Sequence, residues 1–83
     1  MRPIEFIRTQ VFKQPQSAFA RLAGVSQGTV SKWEAGKLAP SQEEMNRIRS
    51  AAIRLAMEWK DEAWQDEWFF VVPRNAFREA NTQ

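Results

Sequence analysis

The sequence predicts a mainly α-helical domain. Four helices are expected at about residues 3–12, 16–23, 27–35 and 42–59, followed by a β-strand at about 68–72. Three observations predict this. Apolar residues recur at three- and four-residue spacing in the helical stretches, as one buried helix face requires. Helix stop and start residues, Pro15, Gly24, Ser26, Gly36 and Ser41, fall between them. Finally, Trp68-Phe69-Phe70-Val71-Val72 is an unbroken aromatic and β-branched run ending at a proline, which reads as a strand.

The first helix opens on Pro3, whose fixed φ suits a first helical turn. Ile4, Ile7, Val11 and Phe12 form its stripe. It ends before Pro15, because a proline disfavours helical conformation in the residue before it. The second helix buries Phe19, Leu22 and Ala23 and stops at Gly24, which can turn left-handed without steric cost. Ser26 caps the third helix. Val30 and Trp33 are its buried pair, and Gly36 ends it. Ser41 and Glu44 form a capping-box pattern for the fourth helix. Its seam, Met45, Ile48, Ala52, Leu55 and Trp59, is narrow and closes the core. DEAWQDE, upstream of the strand, reads as a hairpin partner or a short helical turn. Beyond Pro73 a frayed tail is expected, with Phe77 as a candidate to dock.

Eighty-three residues make one small domain. Residues 1–60 form the helical part, and 61–83 form a strand and tail that would serve dimerisation. The chain has no cysteine and no histidine. That removes disulfides, thiolate metal sites, the commonest metal ligand and the commonest general base. Neither a cofactor nor an enzymatic activity is expected. No apolar run is long enough to span a membrane, no secretory signal is visible, and a cytoplasmic protein is expected. Charge is unevenly placed. Residues 1–57 carry nine Arg/Lys against four Asp/Glu, and residues 58–83 carry three against six. A basic front suits a surface presented to a polyanion. The acids Asp61, Glu62, Asp66 and Glu67 have no histidine or cysteine beside them and read as a solvated edge.

Residues 16–36 carry the functional signal. Counting from Gln16, two helices that meet at a tight turn need apolar residues at positions four, eight, ten, fifteen and eighteen. They need a small residue at five and a turn-tolerant one at nine. Phe19, Ala20, Ala23, Gly24, Val25, Val30 and Trp33 meet every demand. This is a helix-turn-helix pattern. By subtraction, Gln27, Gly28, Ser31 and Lys32 face outward from the second of the two helices. A helix in the major groove reads base edges from its N-terminal part. Gln27 can pair with adenine N6/N7, Lys32 can reach guanine O6/N7 or a phosphate, and Ser31 can bond either base class. Gly28 contributes no side chain and either lets the helix sit close to the groove or is simply tolerated there, and Thr29 reads as a phosphate contact or a local cap.

The stretch resembles the helix-turn-helix of the Cro and CI phage-repressor family, also called the XRE family. Within it, GVSQGTVSKWEAGKLAPS is similar to that family's turn, recognition helix, W-E-x-G and proline-ended loop. The resemblance covers about residues 16–57. It implies a transcriptional regulator, a repressor from a phage or mobile element, bound as a homodimer to a palindromic operator in double-stranded DNA. It also implies phosphate contacts from Gln16 and Lys37, with Arg21, Lys13 and Ser41 as weaker candidates. The strand formed by Trp68, Phe69, Phe70, Val71 and Val72 would then join two copies, as in Cro proteins. The alternative is an antitoxin of the same fold, whose C-terminal segment masks a toxin partner.

Overall fold

The computed structural model describes residues 1–74 and 76. Helix α1, Pro3–Phe6, runs directly into a π-wound segment, Ile7–Phe12. Then come α2, Gln16–Ala23, α3, Gln27–Glu34, and α4, Gln42–Arg54. A two-stranded antiparallel hairpin follows, β1, Glu58–Trp59, and β2, Glu62–Ala63. A 3-10 turn, Asp66–Phe69, comes last.

The first helix occupies the expected residues, but its second half is wound more widely. Lys13 N–H donates to the Arg8 carbonyl, five residues back, and Lys13 itself is left-handed at φ 56°. Thr9 Oγ1 donates to the Glu5 carbonyl at 2.7 Å, a local bond that competes with the helical ladder. The wide turn matches the apolar pattern. Phe6 and Ile7 recur as Val11 and Phe12 five residues later, and all four are buried. A regular α-helix would keep Ile7 and Val11 on one face but set Phe6 and Phe12 about 120° to either side of it.

Phe6, Ile7, Phe19, Val30, Trp33 and Ile48 are the largest fully buried side chains. They come from four helices, so the core sits where α1, α2, α3 and α4 converge. Small residues let the helices approach. Ala20 and Ala23 on α2, and Ala51 and Ala52 on α4, are buried where any longer side chain would hold the helices apart.

Two expectations for the C-terminal third are corrected. Helix α4 ends at Arg54, not near 59. Ala56 turns left-handed at φ 53°, and Met57 and Ala56 N–H donate back to the Ala52 and Ile53 carbonyls at 2.8 and 3.1 Å. These are the two bonds of a Schellman cap. Of the expected seam, Ile48 and Ala52 are buried and Met45 is half-buried. Leu55 is exposed, and Trp59 belongs to β1.

No strand forms at 68–72. Trp68 and Phe69 lie in the 3-10 turn, and Phe70 and Val71 N–H both donate to the Glu67 carbonyl at 2.9 Å. The segment satisfies its backbone locally, which a lone strand cannot do. The strands lie upstream instead, joined through Lys60 and Asp61 at φ 50° and 67°. A turn of two left-handed residues matches the twist of a tight hairpin.

Aromatic packing explains the arrangement. Trp68 meets Phe6 edge-on at 5.7 Å, Trp59 at 6.2 Å and Trp64 at 5.5 Å, while Phe6 meets Trp59 at 5.2 Å. Such pairs contribute roughly 0.5–1.5 kcal/mol each beyond their buried area. The indole N–H groups of two rings are also satisfied. Trp59 Nε1 donates to Gln10 Oε1 at 3.1 Å and Trp64 Nε1 to Asp66 Oδ1 at 2.7 Å. Asp66 also pairs with Arg49 on α4 at 3.3 Å. The hairpin and 3-10 turn thus close the core on the α1 side. Ala76 is buried too, while the rest of the expected tail beyond Arg74, Phe77 included, lies outside the described residues. No helix among the described residues is long and apolar enough to cross a membrane.

Candidate nucleic-acid interface

Helices α2 and α3 form the pair expected from the spacing, with α3 ending one residue earlier at Glu34. Phe19, Ala20, Ala23, Val30 and Trp33 are buried, and Val25 packs against them half-buried. Gly24 is left-handed at φ 73°. Val25 N–H donates to the Ala20 carbonyl at 2.9 Å and Gly24 N–H to the Arg21 carbonyl at 3.3 Å, closing α2 with a Schellman cap. Ser26 then caps α3, its hydroxyl accepting from Thr29 N–H at 3.1 Å.

Two arginines fix the pair to the rest of the fold. Arg47 on α4 donates to the Ala23 carbonyl at 3.2 Å and pairs with Glu43 at 3.0 Å. Its side chain packs against Gly24, where an added Cβ would meet Nη1 at 3.1 Å. Arg8, in the π-wound segment, clasps the Glu34 carboxylate through Nε and Nη2, the latter at 3.1 Å, and donates to the Gln14 carbonyl at 3.0 Å. The Glu34 hydrogen bond holds the Arg8 guanidinium above its ordinary pKa. Burial opposes this, and the charges of Glu34 and Glu5 add to it. Neither arginine was singled out from the sequence. Their partners lie 26 and 24 residues away, and no local pattern announces them. The one available signal was Glu34 itself, an acid directly after the buried Trp33.

The outward face of α3 carries Gln27, Gly28, Ser31 and Lys32, all exposed. None of their side chains has a hydrogen-bonding or ionic partner among the described residues. Thr29 is half-buried, with Oγ1 3.0 Å from Ser26 Oγ, so the cap engages its hydroxyl. Gln16, at the start of α2, is half-buried and donates through Nε2 to Glu34 Oε1 at 3.0 Å. A primary amide has a second N–H, so Gln16 keeps one donor free while Glu34 fixes its orientation. Lys37 is exposed in the loop after α3, its N–H bonded to the Lys32 carbonyl at 2.9 Å. The Ser41 hydroxyl is engaged in the α4 capping box.

The acids sort the basic residues. Arg8, Arg47 and Arg49 hold carboxylates. Arg2, Lys13, Arg21, Lys32 and Lys37 have no acidic partner among the described residues, and neither do Arg54 and Arg74. No group of His, Cys, Asp or Glu among the described residues could hold a metal ion. A helix exposed along one face, bearing amide, hydroxyl and ammonium groups and flanked by unpaired cations, can present donors and acceptors to base edges and charge to phosphates.

Residues 15–51 match the family model for the helix-turn-helix. The segment is similar to the helix-turn-helix, consistent with the XRE-family resemblance of the sequence. The match spans α2, α3 and most of α4, including the Ser26 and Ser41 caps, the Gly24 turn and Glu34. A helix-turn-helix match over this segment supports a sequence-specific DNA-binding regulator. No curated protein and no solved structure matches the chain.

Proposed function

We propose that the protein is a repressor that binds a palindromic operator as a homodimer, with α3 of each copy in a major groove. The observation that carries this reading is the outward face of α3. Val30 and Trp33 anchor the helix, leaving Gln27, Gly28, Ser31 and Lys32 exposed together. Gln27 and Lys32 read bases, Ser31 supports them, and Gly28 gives close approach. Gln16 and Lys37 hold phosphates on either side, and Thr29 contributes through the α3 N-terminus it helps to cap.

A single α3 reads one half-site, so specificity requires two copies with half-sites about 10 bp apart. In support, Phe70 and Val71 are exposed large apolar residues immediately after the 3-10 turn, and Ile53 and Leu55 are exposed at the end of α4. Trp68 is spent on the chain's own core, while Phe69 and Val72 are half-buried against it. Of the segment 68–72, Phe70 and Val71 are therefore the groups with surface to offer a second copy.

The same two residues favour a second reading, an antitoxin that uses them to cover a toxin and its helix-turn-helix to regulate its own operon. Purification with and without the neighbouring gene product separates the two. A second chain that co-purifies in fixed ratio supports the antitoxin, and a pure homodimer supports the repressor.

The deciding experiment is a mobility shift on DNA upstream of the protein's own gene. Specific binding is expected, with Gln27→Ala and Lys32→Ala each relaxing preference by roughly 1–3 kcal/mol. Equal binding to random duplex at moderate salt sinks the proposal.

A further inference from the structure

A cleft of about 330 Å³ opens between the start of α1 and the loop after α3. Arg2, Trp33, Gly36, Lys37, Pro40 and Phe69 line it, and its wall contains no acidic residue. The Arg2 guanidinium rests on Gly36. A Cβ at that glycine would fall 2.3 Å from Nη2 and 2.4 Å from Cζ, so the absence of a side chain at 36 is what admits the arginine. Lys37 follows at once and is tied to the last turn of α3 by its bond to the Lys32 carbonyl. Two exposed cations without an acidic partner therefore share one concave site at the C-terminal end of the recognition helix. No acidic residue lines the cleft to offset their charge, which leaves the site open to an anion from outside.

We propose that Arg2, together with Lys37, binds a phosphate of the DNA strand that passes the C-terminal end of α3. Arg2 is then a backbone contact contributed by a part of the chain outside the helix-turn-helix. This rests on the DNA-binding reading above. The guanidinium fork suits the task, since it can meet two phosphate oxygens at once, whereas Lys37 supplies a point charge. The competing role for both cations is to complement the negative end of the α3 dipole. That role affects folding stability and leaves the salt dependence of DNA binding unchanged.

The test is the salt dependence of binding by the full chain to the duplex upstream of its gene and to a random duplex, between about 50 and 200 mM salt. Each phosphate contact contributes about 0.9 to the slope of log K against log salt. Arg2→Ala is expected to lower the slope by that amount on both duplexes, and Arg2→Lys to keep most of it. A single methylphosphonate placed at successive positions should locate one phosphate whose neutralisation weakens the wild type but not Arg2→Ala. An unchanged slope for a folded Arg2→Ala protein overturns the proposal. So does tight binding of inorganic phosphate at the cleft with no change in DNA slope, which would assign the site to a free anion. If the wild type binds no duplex, the DNA reading itself falls. If it binds and Arg2→Ala keeps its slope, only the role of Arg2 falls.

Discussion

Arg8 and Glu34 join the π-wound end of the first helix to the last residue of the recognition helix, with two guanidinium nitrogens on one carboxylate. Both side chains are mostly buried, at 16% and 11% exposure. Glu34 also receives Gln16, so one carboxylate ties the π-wound segment, α2 and α3 to each other. Removing either partner leaves a partly buried charge without its counterpart. Glu34→Gln and Arg8→Gln are each expected to cost about 1–3 kcal/mol in denaturant unfolding. The double variant should recover part of that loss, giving a coupling of roughly 0.5–3 kcal/mol. Arg8→Lys should not rescue, because an ammonium cannot make the forked contact. Arg8 has its folded pKa raised, so its share of the stability is lost as pH rises through the folded guanidinium value. Additivity of the two single changes would show that the pair is incidental.

Ala56 closes α4 in a conformation that glycine adopts without strain. Left-handed backbone costs a residue with a Cβ roughly 1–2 kcal/mol. Glycine also gains freedom in the unfolded chain, which offsets part of the relief. Ala56→Gly is therefore expected to stabilise the domain by about 0.5–1 kcal/mol, read as a higher denaturant midpoint with an unchanged slope. A loss of stability would mean that α4 does not end there.

These two sites show what the sequence discloses and what it does not. The starts and stops of α2 and α3 are legible because Gly24, Ser26 and Gly36 act within one turn of their own positions. The end of α4 is not, because Ala56 takes the place where a glycine would have announced a stop. The hairpin turn at Lys60-Asp61 lacks the usual asparagine or glycine, so nothing local marks it. The 3-10 turn at Asp66–Phe69 arises because Trp68 is drawn onto Phe6, Trp59 and Trp64, a tertiary gain that overrides the strand preference of its neighbours. The outward face of α3 was readable by subtraction once Val30 and Trp33 were placed inside. Arg8 and Arg47 were not readable, since each acts across more than 20 residues of chain.

Gly28 separates fold from function on α3. An added Cβ there would meet only Ser26 Oγ, at 3.8 Å, so the fold leaves the space open. Gly28→Ala should stabilise the helix by up to about 1 kcal/mol, since alanine is the better helix former. If the helix sits close to the groove at this point, the same change weakens DNA binding. Higher thermal stability combined with lower affinity is the expected pair of results, measured by melting and mobility shift. Higher stability with unchanged affinity would show that Gly28 stands clear of the DNA.

Phe70 and Trp68 make opposite predictions although only Phe69 separates them. Trp68 is 3% exposed and packs edge-on against Phe6, Trp59 and Trp64, so it belongs to the monomer core. Trp68→Ala is expected to cost about 3–5 kcal/mol, the usual range for a large buried aromatic. Phe70 is 70% exposed and Val71 55%, and truncating them removes little from the monomer. Phe70→Ser with Val71→Ser should leave the monomer's stability within about 0.5 kcal/mol, as expected for surface changes. If these residues join two copies, the same double change converts a dimer to a monomer in sedimentation. It also weakens binding to a two-half-site duplex far more than to a single half-site. A double variant that stays dimeric would place the interface elsewhere, with the exposed Ile53 and Leu55 at the end of α4 as the next residues to change.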